Sequence, residues 1–295
     1  MLLGSVYGLA ALGMGLIFGV MGVLNLAHGA FMLFGGIVSW FLVSRAGMTL
    51  VFTVPSAVFL SAFLGLVLWK VGVSDPISSG EDETGSGDLS SQVLVTLGFS
   101  LIVEDLVTRW APQGIFSLPT TGPLMAVAGI RFSAIRLVLL LIVTVAFFLL
   151  NRLIMKTDLG LMVRACMQDR QGAVLMSVPY RMISLAVFIA GCAMAGLAGS
   201  LYLIIYPLTP QMSIPLTVKA LLIVILGGKG RLLYTFAAAI FFGVFEVATG
   251  FWASAETQHV LPYMALVALL LISPEGIGVL RIKKWDGVRP LENSF

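Results

Sequence analysis

The sequence predicts an all-α, polytopic helical membrane protein with about eight to ten membrane segments of ~20 residues, at least one of them broken or re-entrant. Three observations predict it. Hydrophobic residues make up 59% of the 295-residue chain, charged residues 11%, and the mean hydropathy is +1.05. A soluble domain is about half apolar and about a quarter charged. The apolar residues form long runs without strand-period alternation, which argues against a β-barrel. Finally, the N-terminal run has no Asp, Glu, Lys or Arg before Arg45, yet it carries Asn25, His28 and the glycines Gly13, Gly15, Gly19, Gly22 and Gly29. In lipid, polar side chains and loosened backbone survive only where protein or a water-lined cavity satisfies them. Gly22, Asn25, His28 and Gly29 are therefore read as part of a pore or substrate pathway. Residues 1–295 are read as one transmembrane domain.

Nine apolar segments follow in order, at about 2–22, 27–44, 49–72, 91–109, 133–155, 182–206, 214–227, 232–252 and 259–273. The second opens on the polar Asn25-Leu-Ala-His-Gly29, and the seventh runs only from Pro215 to Gly227. Short, glycine-interrupted segments point to broken helices at a transport site. Gly4/Gly8, Gly15/Gly19 and Gly191/Ala195/Gly199 are small-xxx-small sets that let helix backbones approach closely, first of all within the bundle and otherwise at a dimer face. Between segments three and four, residues 74–90 are rich in Gly, Ser and acids and read as a flexible loop. The N-terminus lacks a basic region ahead of its apolar run, so no cleavable signal peptide is expected.

Orientation is read from Lys and Arg. The loop 156–181 holds Lys156, Arg164, Arg170 and Arg181, with Arg152 just before it. Lys229 and Arg231 lie between segments seven and eight, and Arg281, Lys283, Lys284 and Arg289 lie in the tail. Placing 156–181 in the cytoplasm puts all three clusters there and the N-terminus outside. Asp75, Glu81, Asp82, Glu83 and Asp88 then fall in a cytoplasmic loop, but acidic residues count little in this rule. The net charge of +3 is an orientation signal and gives no reason to expect nucleic acid as a partner. Cys166 and Cys192 have no metal-ligand or CxxC spacing, so neither a disulfide nor a metal site is expected.

Within 156–178, Leu159, Met162, Val163, Cys166, Val174 and Leu175 recur at three- and four-residue steps, against Arg164, Gln168, Asp169 and Gln171. This is an amphipathic helix or helix pair. It suits equally a lipid interface and a groove on a soluble partner. Gly227-Gly228-Lys-Gly230 is a tight reversal between two apolar runs. It is not a phosphate loop, because Gly230 follows Lys229 where Ser or Thr is required. Asp105 and Arg109 are four residues apart near a span end and read as a solvated structural pair. Lys219 is expected to snorkel toward the interface. Glu246 lies deeper, either as a bundle-facing hydrogen-bonding group or as part of the pathway. Ser100 or Ser184 with His28 has no nucleophile motif around it, so an enzyme is not expected.

Taken together, these regions resemble one family. Gly4-Ser-Val-Tyr-Gly-Leu-Ala-Ala-Leu-Gly13 and Ile17-Phe-Gly-Val-Met-Gly-Val-Leu-Asn-Leu-Ala-His-Gly29 resemble the opening of the permease subunits of branched-chain amino-acid ABC importers, and most of all the LivH-like half of the heteromeric pair. Gly160-Leu-Met-Val-Arg-Ala-Cys-Met-Gln-Asp169 is similar to that family's cytoplasmic coupling segment, Lys219 through Gly230 to its late glycine turn, and Ser273-Pro-Glu-Gly-Ile-Gly278 to its C-terminal end. The acidic 74–90 loop and Tyr234 depart from the family pattern.

The resemblance implies a bacterial or archaeal inner-membrane complex. Its other members are a second homologous permease subunit, two ATP-binding cassette subunits that hold ATP and Mg, and an extracytoplasmic solute-binding protein. This chain itself is expected to bind no cofactor. The coupling contact to the ATPase falls on Thr157, Gly160, Arg164, Ala165, Asp169 and Arg170, with Gly160 allowing the chain to turn. Branched-chain or other hydrophobic amino acids are the solutes expected first. Urea and short-amide permeases share the N-terminal pattern and give the alternative. A passive channel or stand-alone transporter is the competing class, and it has no need of a docking helix.

Overall fold

The computed structural model describes residues 1–73, 86–110, 114–118, 124–127, 130–228 and 230–252, and from the last apolar segment 263–264, 267–268 and 271. The ninth segment is otherwise outside the described residues, as are Lys229, the basic tail and the 273–278 motif. The helices are α1 (Leu2–Met21), α2 (His28–Ser44), α3 (Leu50–Leu68, ending in a π-helical turn Trp69–Val73), α4 (Ser86–Trp110) and α5 (Ala134–Lys156). They continue with α6 (Asp158–Gln168), α7 (Arg170–Leu175), α8 (Tyr180–Ile205), α9 (Ser213–Gly227) and α10 (Leu232–Trp252). Among the described residues, seven helical stretches are long and apolar enough to cross a membrane, and His28–Ser44 is a shorter apolar helix. The protein is an all-α, multi-pass membrane protein.

Two local features differ from the expectation. Helix α4 already starts at Ser86, inside the stretch read as loop 74–90. A small antiparallel hairpin, β1 (Leu124–Val127) with β2 (Ile130–Ser133), precedes α5 and pairs Met125 with Phe132. It is too short to show as alternation in the sequence.

Helix α1 is the axis of the bundle. All of its residues except Leu2, Gly15 and Phe18 are buried. It runs antiparallel to α8, with Val20 beside Tyr180, Gly13 against Gly191 and Tyr7 stacked on Tyr202. A Cβ at Gly13 would lie 2.8 Å from the Gly191 carbonyl oxygen, so the two backbones pack with no side chain between them. Gly4 and Gly8 face α10, and Gly199 faces Met32 of α2. The small-residue sets thus serve packing inside the bundle.

The chain traces two arms of opposite direction. Helix α1 is followed by an irregular segment, 22–27, that turns back into the bundle. There α2 begins beside Ala10, at the middle of α1, and runs to Trp40, which packs on Phe116 and Trp110. Helix α8 is likewise followed by 206–212. This segment passes Leu208, bridged to Phe116, and leads to α9, which begins beside Ser100 in the middle of α4. Helix α9 runs parallel to α1, past Tyr7 and then Gly15. Inverted arms with discontinuous helices whose ends lie inside the bundle are the architecture of many transporters.

Candidate functional site: a helix junction inside the bundle and a basic amphipathic surface

Gly22 ends α1. It holds φ +71°, a left-handed conformation that favours glycine, and its N–H closes on the Phe18 carbonyl. The chain thus released carries Asn25 and His28 inward, 1% and 0% exposed. Asn25 Oδ1 accepts from the Ala27 N–H at 3.0 Å, just ahead of α2. His28 Nε2 donates to the Ala10 carbonyl at 2.8 Å, which fixes the ring against α1. Asn25 Nδ2 and His28 Nδ1 have no partner among the described residues.

The N-terminal end of α2 meets the N-terminal end of α9. The Gly29 N–H donates to Thr217 Oγ1 at 2.7 Å. That hydroxyl has the Leu26 carbonyl at 3.2 Å and the Ser213 carbonyl at 3.1 Å as acceptors for its one proton. Around it, Thr96 Oγ1 accepts from the Leu26 N–H at 3.2 Å, and the Ser100 and Ser213 hydroxyls stand 2.8 Å apart. A Cβ at Gly29 would overlap the Ser213 carbonyl oxygen. Glycine is therefore what lets the two helix ends touch. Each helix start leaves backbone N–H groups without an intrahelical partner and concentrates partial positive charge. Thr96, Ser213 and Thr217 were not singled out from the sequence, and Ser100 was considered only as a nucleophile beside His28. Serine and threonine are common inside membrane helices, so nothing marked these four as one junction.

Glu246 is not part of this junction. It receives a hydrogen bond from Lys219 Nζ at 2.5 Å, and Lys219 also donates to Tyr7 OH at 3.0 Å. The ammonium lies 5.1 Å from the centre of the Tyr7 ring and 5.9 Å from that of Tyr263. The expected snorkelling of Lys219 does not occur, since its side chain is 7% exposed. A carboxylate on the next helix outcompetes a reach to the interface. Thr217 and Lys219 are two residues apart, about 200° around a helix, so α9 is held on one side by the junction and on the other by this pair. Asp105 and Arg109 form an exposed pair at 2.7 Å.

The second region is the helix pair α6–α7. Thr157 caps α6 by accepting from the Gly160 N–H at 3.1 Å, and Asp169 caps α7 by accepting from the Gly172 N–H at 3.0 Å. Gly160 serves a close approach more than a turn: a Cβ there would overlap the Leu153 and Ile154 carbonyls at the end of α5. Arg164 reaches back to the Gly160 carbonyl at 3.4 Å, and Arg170 lies 4.3 Å over the Tyr180 ring. Ala165 accepts from the Asp169 N–H through its carbonyl at 3.0 Å.

The apolar residues of the helix pair divide into two sets. Val163, Cys166 and Ala173 are buried, whereas Leu159, Leu161, Leu175 and Met176 are exposed. The division already runs through α6, where Leu159 is exposed one turn before the buried Val163, and it continues in α7 with Ala173 against Leu175. Burial pushes the Cys166 thiol above its usual range, partly offset by a hydrogen bond from its own backbone and by Arg170. At the end of α9, Gly228 (φ +87°) and Gly230 (φ +76°) turn the chain into α10, and Gly227 lies too close to the Thr235 backbone for any side chain.

The chain matches, over residues 1–270, the family described as branched-chain amino acid transport system, permease component. It is 25% identical over 283 residues to the high-affinity branched-chain amino acid transport system permease protein LivH of Salmonella typhimurium and to that of Escherichia coli K12, covering 93% of this chain and 92% of each relative. To the corresponding permease protein BraD of Pseudomonas aeruginosa it is 23% identical over 282 residues, with the same coverage. No solved structure matches it. A match across nearly the whole chain, on a multi-pass bundle with two discontinuous helices, places this protein in the family of permease components of branched-chain amino acid transport systems.

Proposed function

We propose that this chain is the permease subunit of an ABC importer that moves branched-chain or other hydrophobic amino acids across the cytoplasmic membrane of a bacterium or archaeon. A second homologous permease subunit completes the path. Two ATP-binding subunits, which hold the ATP and Mg, dock on α6–α7 in the cytoplasm, and an extracytoplasmic binding protein delivers the solute.

The observation that carries this reading is the meeting of the α2 and α9 N-termini at Gly29 and Thr217. Two helix starts aimed at one point supply N–H donors and partial positive charge for a solute carboxylate. In the present conformation Thr217 occupies the Gly29 N–H and the helix ends are in contact, which describes a closed path. Parting α2 from α9 frees that donor beside Asn25 Nδ2 and His28 Nδ1. Glu246 acts on the path through Lys219 and α9. The exposed Leu159, Leu161, Leu175 and Met176 suit a groove on a soluble ATPase.

The test is solute-stimulated ATPase and uptake by the complete complex in proteoliposomes, with leucine, isoleucine and valine against urea and acetamide. Coupled uptake of the amino acids is expected. Stimulation by urea or acetamide alone would assign the chain to the short-amide class. Thr217→Val, which leaves the Gly29 N–H unpaired, lowers uptake, and Thr217→Ser retains it.

A further inference from the structure

Met167 leaves α6 toward the bundle. A Cβ placed on Gly19 would lie 2.8 Å from its Cε and 3.2 Å from its sulfur, so this side chain fills the hollow that Gly19 leaves near the end of α1. A Cβ placed on Gly230 would lie 3.6 Å from the same sulfur. Gly230 belongs to the turn that joins α9 to α10. One side chain therefore fills the socket at the end of α1 and lies beside the glycine turn at the end of α9. Helix α1 leads from Gly19 through the Gly22 turn into Asn25 and α2, and the glycine turn is where α9 ends. The tips of the same two arms meet at Gly29 and Thr217.

We propose that Met167 is a positioning residue that carries movement of α6 into both arms at once, so that they part at the Gly29–Thr217 junction together. This rests on the coupling reading of α6–α7 given above. A helix shifts as a rigid body, and a close-packed contact transmits displacement because it has little room to compress. Methionine suits such a joint: it is long, unbranched and apolar, and it seats in irregular gaps without needing a polar partner. Tyr180, at the start of α8, reaches the Val20 carbonyl at 3.4 Å beside the same socket. The docked helix pair is thus seated against α1 next to the turn that sends the chain inward.

The experiment uses the whole complex in proteoliposomes and reads leucine uptake per ATP hydrolysed, with thermal stability measured alongside. Met167→Ala empties the socket from the α6 side. Gly19→Val fills it from the α1 side and displaces only the flexible end of Met167. Both are expected to lower uptake per ATP by about tenfold or more while the ATPase rate stays within about twofold. Met167→Leu, close in volume, restores the ratio to within about threefold. If both variants keep the wild-type ratio, or if ATPase and uptake fall together with thermal stability, the assignment is overturned. The coupling reading is tested separately by Leu175→Glu: loss of ATPase association supports it, and normal assembly with coupled uptake removes it along with the role of Met167.

Discussion

Lys219 Nζ and Glu246 Oε1 stand 2.5 Å apart between α9 and α10, with the Tyr7 hydroxyl completing the set from α1. Three helices are joined by one ion pair and its hydrogen bond to Tyr7, contacts that a water-filled pore would weaken and an apolar bundle strengthens. Taking both charges out of water is costly, so the pair is poor evidence of stability by itself. Its value lies in fixing the azimuth of a helix that starts in mid-bundle and has no continuous partner half.

Removing one partner is therefore worse than removing both. Lys219→Met leaves Glu246 buried opposite an apolar chain and is expected to destabilise the subunit by about 3–5 kcal/mol. The double variant Lys219→Met, Glu246→Met is expected to lie within about 1–2 kcal/mol of wild type. Unfolding in mixed micelles of increasing denaturing detergent reads both. Equal losses for the single and double variants would contradict the account.

Gly29→Ala is expected to destabilise the junction by about 1–3 kcal/mol and to abolish uptake. The added methyl group meets the Ser213 carbonyl and the Thr217 backbone, neither of which can rotate away. Gly98, around which a Cβ finds nothing within 4 Å, is the control. Gly98→Ala leaves uptake intact.

On the amphipathic surface, Leu175→Glu and Met176→Glu should change subunit stability by no more than about 0.5 kcal/mol, because both side chains are more than four-fifths exposed. They should nonetheless weaken co-purification of the ATP-binding subunits. A binding defect without a folding defect separates a docking face from a structural one.

Thiol chemistry reports the packing of α6. The Cys166 thiol is raised by burial, so at any pH near 8 it holds less thiolate than an unperturbed cysteine. Alkylation of the folded subunit should be slow at pH 8 and accelerate as pH rises further, whereas the denatured chain reacts at the ordinary rate. Peptide mass mapping after timed labelling distinguishes Cys166 from the more deeply placed Cys192.

The break between α1 and α2 was legible because its signals are local: Gly22 can turn left-handed, and Asn25 and His28 have no place against lipid. The shortness of segment seven was legible for the same reason. What sits opposite was not. Ser100 and Ser213 are 113 residues apart, and Lys219 and Glu246 are 27 apart on different helices. Neither spacing carries a periodic signal. The helix pair at 158–175 was visible as amphipathic, but its division into an inner and an outer apolar set depends on where α6 meets α1 and α5, which the spacing of apolar residues does not carry. The hairpin at 124–133 is held by four residue pairs, too few to show against a background of apolar runs.

The enclosure of α1 has a consequence for how the subunit is made. This helix lies far upstream of α8, α9 and α10 in the chain, yet those helices wrap it. During synthesis it must enter the bilayer long before its neighbours exist, and its glycine-lined surface is then covered only by lipid tails. A nearly uniform apolar circumference lets it wait there. Completion of the subunit is thus a late event, in which the downstream helices find a surface already in place.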